Sequence, residues 1–160
     1  MRALLQDQGA GRIEGYACLF GALDLGRDII ERGAFTETLA ARGARGVRLL
    51  YQHDPAEPIG VWDEIGEDGR GLYVRGRLSL EVRRAREVGC LVAARALDGL
   101  SIGFKAVRAR TDPRSRVRRL LRVDLWEVSV VTFPMQPGAR IATPFSPYPA
   151  RTFHDADLRA

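Results

Sequence analysis

The chain has 160 residues, 46% of them hydrophobic and 28% charged, with a formal net charge of +5 in which Lys105 is the sole lysine. This is the make-up of one soluble globular domain, large enough to bury a core without staples. It excludes a membrane-spanning helix, because no apolar run nears about 20 residues, and it excludes a disulfide or metal framework, because Cys18 and Cys90 are far apart and unsupported. Met1 to Asp7 lacks the apolar core of a signal peptide, so the expected location is cytoplasmic. The basic residues are scattered and aromatics make up only 8%, which suits neither membrane attachment nor a specific nucleic-acid partner.

Arg12 to Phe20 reads as a first strand, with Ile13, Gly15, Ala17 and Leu19 as one face. A loop over Gly21–Asp28 leads to a short strand at Ile29-Ile30. Gly33 to Thr36 opens a helix reaching about Arg42, with Thr36 as its cap. Val47 to Gln52 is a buried strand ending at His53, and Asp54-Pro55-Ala56-Glu57-Pro58 reads as the turn after it. Ile59–Ile65 and Gly71–Leu80 form a hairpin, and in the second of these Leu72, Val74, Gly76 and Leu78 face inward.

Ser79 is placed to cap a long helix from Leu80 to about Leu97, with Val82, Ala85, Val88, Val92 and Ala96 as its apolar stripe. Asp98-Gly99 ends that helix, and Leu100 to Ala109 is a strand. After a turn at Asp112–Ser115, Val117 to Val131 supplies one long strand or two shorter ones, stopped by Pro134, Pro137 and Gly138. The domain therefore covers residues 1–142, and the proline-rich 143–160 reads as a tail. Strands dominate and two helices are inserted, so the class is α+β with a mainly antiparallel sheet or barrel.

Three strand candidates carry the chemistry. Ser101 lies in Gly99-Leu100-Ser101-Ile102-Gly103-Phe104, at a hinge from helix to strand, with glycines that leave room for a substrate backbone. This is the reverse order of the strand-to-helix nucleophile elbow, despite its similar spacing. His53 ends an apolar strand and either bonds a neighbouring carbonyl or serves as general base. The other histidine, His154, sits in the tail. Glu127, between Trp126 and Val128, must be paired if buried, either with an arginine or with the second N–H of the histidine. Asp54 and Asp124 are its rivals, and Cys90 reads as a small core residue beside the helical stripe.

Six segments, in order, resemble the prohead (procapsid) maturation proteases of tailed bacteriophages and related gene-transfer particles. They are Gly15-Tyr16-Ala17-Cys18-Leu19-Phe20, Asp28-Ile29-Ile30-Glu31-Arg32-Gly33-Ala34-Phe35, Leu50-Tyr51-Gln52-His53-Asp54 with Ile59-Gly60, Gly71-Leu72, Gly99 to Phe104, and Trp126-Glu127-Val128-Ser129-Val130-Val131 with Pro134. The resemblance implies a small β-barrel flanked by helices, similar to the herpesvirus assembly protease. It implies a serine endopeptidase that cleaves the scaffold segment of the major capsid protein inside the immature shell, and often itself, without a cofactor. Carried over by position, Ser101 is the nucleophile, His53 the base and Glu127 the acidic position. Self-association is also implied. The family's usual Pro-Ala-Asn-Pro is here Pro134-Met135-Gln136-Pro137. The rival reading is a capsid-assembly chaperone that keeps the protease fold without cutting.

Overall fold

The computed structural model describes residues 11–142. The expected tail and His154 lie outside the described residues. The elements in order are β1 (Arg12–Leu19), β2 (Asp28–Ile30), α1 (Thr36–Gly46), β3 (Arg48–Tyr51), β4 (Asp54–Glu67), β5 (Gly71–Leu78), α2 (Arg83–Ala93), β6 (Gly99–Thr111) and β7 (Arg118–Val131). Among the described residues no helix is long and apolar enough to cross a membrane.

One curled sheet holds all seven strands in the order β1-β5-β4-β3-β7-β2, with β6 also on β7. The expectation of a mainly antiparallel sheet needs correcting: β2 and β3 both run parallel to β7, so the sheet is mixed. The curl is tightened by bulges in the β1–β5 and β4–β5 ladders. It brings β1 towards β6, and Arg140-Ile141 bridges them through Gly15 and Gly99. Trp62, Leu49, Ile59, Leu72, Leu100 and Leu125 fill the interior and are fully buried.

β7 organises this arrangement. β6 pairs with it from Arg118 to Val131 on one edge. On the other edge β2 takes Arg118–Leu120 and β3 takes Glu127–Val130. The gap between them is closed by the turn that leads into α1 and by the first turn of α1 itself. Val123 N–H donates to Ala34 O at 3.0 Å, and Leu125 N–H donates to Thr38 Oγ1 at 3.0 Å. A central strand thus leaves no row of unpaired donors, which buried backbone rarely tolerates.

Several boundaries differ from the sequence reading for local reasons. α1 has Phe35, not Thr36, as its N-cap residue, without a side-chain cap of its own. Its open end is served by Glu67, whose carboxylate accepts Gly33 N–H at 3.0 Å and Phe35 N–H at 2.8 Å. This is the charge a helix N-terminus favours. α2 starts only at Arg83, because Ser79 to Val82 forms a turn with Val82 N–H on Ser79 O. α2 also ends at Ala93, so Val82 and Ala96 of the expected stripe fall outside it and are exposed, while Ala85, Val88 and Val92 are buried. In β1 a bulge at Ala17 turns Cys18 inward and leaves Leu19 only partly buried. Asp54–Pro58 is not a turn but the start of β4, with Pro58 opposite Leu50 where the register slips.

Thr38 carries the closure of the β7 edge. Thr38→Val should lower unfolding free energy by about 1–3 kcal/mol, because it strands the buried Leu125 N–H. Urea unfolding of the two proteins measures it.

Candidate active site

The chain reverses between β3 and β4 in two residues, Gln52 and His53, with Tyr51 opposite Asp54. Both have positive φ, 54° and 59°. Such a pair matches the twist of a hairpin but costs non-glycine residues roughly 1–2 kcal/mol each. Contacts to β7 and to Thr132 just after it hold it. Gln52 N–H donates to Val130 O at 3.0 Å. Its side chain exchanges two bonds with Thr132, at 2.6 and 3.2 Å. His53 N–H donates to Ser129 Oγ at 3.1 Å. Four bonds at about 0.5–1.5 kcal/mol each offset the strain. His53 is thus fixed through its backbone, with its ring 41% exposed.

Glu127 meets that ring. Its Oε1 contacts His53 Nδ1, and its Oε2 accepts a 2.6 Å hydrogen bond from Ser129 Oγ. The carboxylate side chain is only 13% exposed. Of the two pairings open to it from sequence, the structure makes the histidine one. Gly103 lies opposite Glu127 in the β6–β7 ladder. A Cβ added there would run into the Glu127 carboxylate, and one added at Gly99 would meet Val131 O and Pro134. These glycines make room for the protein's own groups, which corrects the reading that they clear space for substrate.

Ser101 stands directly opposite Ser129, two residues before Gly103, and is 5% exposed. Directly opposed side chains share a face, and so do residues two apart. Ser101, Ser129 and Glu127 therefore share one face, and Ser129 separates Ser101 from the His53 turn. Among the described residues no hydrogen bond joins Ser101 Oγ to His53. A cleft of about 700 Å³ lies along His53 and Glu127, lined also by Arg48, Lys105, Phe104 and Trp126. Ser101 borders a smaller cavity of about 40 Å³ beside Ile102, Met135 and Gln136.

The rivals are engaged elsewhere. Asp124 sits below the usual carboxylate range, held by the Trp126 indole N–H and then by the Arg42 guanidinium. Asp54 Oδ1 accepts the Ala56 N–H at 2.8 Å. Cys90 is exposed rather than in the core, and burial pushes the Cys18 thiol up to about 12. Gln136, where the resembling family has asparagine, ties its loop to β1. Its amide donates to Leu19 O and Ala22 O at 3.0 and 3.2 Å and accepts from Leu19 N–H. Ser129 escaped the sequence reading. Its one signal is a polar residue two positions after Glu127 in an otherwise apolar strand end.

The sequence profile of the family described as caudovirus prohead serine protease matches residues 1–150. The prohead protease of Enterobacteria phage HK97 is 35% identical over 156 residues, covering 94% of this chain and 68% of that one. The chain belongs to the caudovirus prohead serine protease family. Its fold is also that of more distant proteases. The capsid assembly protease of bacteriophage T4 superposes with a TM-score of 0.60 at 14% identity, covering 77% of this chain and 82% of that one. The protease of KSHV, solved with a hexapeptide phosphonate inhibitor, gives 0.51 at 14% identity over 82% of this chain. This chain spans 63% of that herpesvirus chain's length. At such identity the likeness is one of fold.

Two outcomes follow. Gly103→Ala should fold but displace Glu127 from His53, and a misplacement near 1 Å lowers the rate of a positioned reaction about 100-fold. A crystal structure of the variant and its cleavage rate check both halves. Iodoacetamide at pH 8 should alkylate Cys90 in the native protein and Cys18 only after unfolding, since the thiolate is the reacting form. Mass spectrometry counts the labels.

Proposed function

We propose that this chain is the serine endopeptidase of prohead maturation, with Ser101 as nucleophile, His53 as general base and Glu127 as the acid that orients His53. Its substrate is the N-terminal scaffold segment of the major capsid protein, and the chain also cleaves itself. It works inside the assembling prohead, as a self-associating protein and without a cofactor. The observation that carries this reading is the His53 ring held at Nδ1 by Glu127, on the strand pair whose same face bears Ser101.

An imidazole that donates from Nδ1 to a carboxylate keeps the Nε2 lone pair free. Nε2 takes the Ser101 proton as Oγ attacks the peptide carbonyl carbon. The proton passes to the leaving amine as the C–N bond breaks. Water, deprotonated by the same nitrogen, then hydrolyses the acyl-enzyme and returns the serine. Catalytic hydrogen bonds are often long or poorly aligned in substrate-free proteins and tighten in the Michaelis complex. The family membership supports peptidase chemistry, and the exposed edge of the histidine beside a cleft supports access to it.

Co-expression with the major capsid protein of the same gene cluster tests the reading by intact mass. The wild type should shorten the capsid protein. Ser101→Ala and His53→Ala should each slow processing about 10⁴-fold or more while remaining folded. Processing that persists in Ser101→Ala refutes the assignment. Full-length capsid protein with both wild type and variant, together with improved assembly, points to the chaperone.

A further inference from the structure

We propose that Ser129 is a positioning residue of this site: its hydroxyl closes a hydrogen-bonded ring that sets both the backbone and the tautomer of His53. This rests on the protease reading above.

The ring has three members. His53 N–H donates to Ser129 Oγ at 3.1 Å, and Ser129 Oγ donates to Glu127 Oε2 at 2.6 Å. Glu127 Oε1 then returns to His53 Nδ1. A hydroxyl has one proton and can accept at its lone pairs. The proton of Ser129 is given to Glu127, and its acceptor side is taken by the His53 backbone. One lone pair remains, but the residue is fully buried, with no surface for a substrate carbonyl to reach. That separates it from Ser101, directly opposite on β6.

The geometry has a chemical consequence. An ionised carboxylate only accepts hydrogen bonds. With Oε2 taken by Ser129, the carboxylate is locked in rotation and Oε1 faces the ring. The shared proton then lies on Nδ1, and Nε2 is left as the acceptor that general-base catalysis requires. The same hydroxyl anchors the left-handed His53 backbone, φ 59°. Removing it frees both ends of the histidine together. A hydroxyl that served packing alone would have no reason to favour one imidazole nitrogen.

The test reads the tautomer without needing activity. In substrate-free protein labelled with ¹³C and ¹⁵N at histidine, neutral His53 of the wild type should be the Nδ1–H form. Ser129→Ala should add a population of the Nε2–H form, and Ser129→Thr, which keeps the hydroxyl, should restore the wild-type spectrum. Ser129→Cys, which keeps volume with a weak donor, serves as the second variant should alanine fail to fold, and should behave like alanine. With a peptide spanning the mapped capsid cleavage site, Ser129→Ala should lower kcat about 10- to 100-fold and change KM less than about threefold. An unchanged tautomer with unchanged kcat in a folded Ser129→Ala or Ser129→Cys protein overturns the proposal. A wild type that does not cleave instead removes the protease reading, and the spectra still decide the role of Ser129.

Discussion

The double pairing of β7 is the constraint on which the rest depends. A 14-residue strand in the middle of a curled sheet must satisfy its donors and acceptors on both edges. β6 covers one edge, and β2, the entry into α1 and β3 share the other. That sharing decides where β3 ends, and the end of β3 decides where His53 projects. The same strand supplies Val130, Ser129 and Glu127 as partners for the turn and ring. One strand therefore sets the scaffold and half of the site.

The local strain at the site is consistent with this division of labour. Two left-handed residues in a row would relax in an isolated hairpin, since neither is glycine or asparagine. They persist because β7 holds the backbone of both and the side chain of His53, and Thr132, just beyond β7, holds the side chain of Gln52. Gly103 contributes in the opposite way, by lacking a side chain where Glu127 needs the space. The lining of the adjacent cleft mixes Trp126 and Phe104 with Arg48 and Lys105, so it presents apolar surface and positive charge together.

Much of the fold was legible because strands announce themselves by alternation. Leu72, Val74, Gly76 and Leu78 face inward as their period dictates. Ala85, Val88 and Val92 likewise mark the buried face of α2. What stayed hidden was non-local. Nothing in Asp28-Ile29-Ile30 says that it lies parallel to a strand 90 positions later. The prolines at 55 and 58 are the local turn signal, yet the turn falls at Gln52-His53, whose residues carry no such signal and are held by distant partners. At the site, His53 and Glu127 could be chosen by residue chemistry. Ser129 could not, because a serine in a strand has meaning only once its neighbours across the sheet are known. The family was legible from six short motifs in order, spread over most of the chain that the family profile matches.

The identity of the nucleophile is the centre of this account, and covalent labelling addresses it most directly. The wild-type protein is treated with a fluorophosphonate, which reacts with activated serines, and the adduct is located by tandem mass spectrometry. A single adduct on Ser101, absent in Ser101→Ala and strongly reduced in His53→Ala and Glu127→Ala, is the predicted result. An adduct on Ser129 or any other serine, or labelling of Ser101→Ala equal to the wild type, would contradict it.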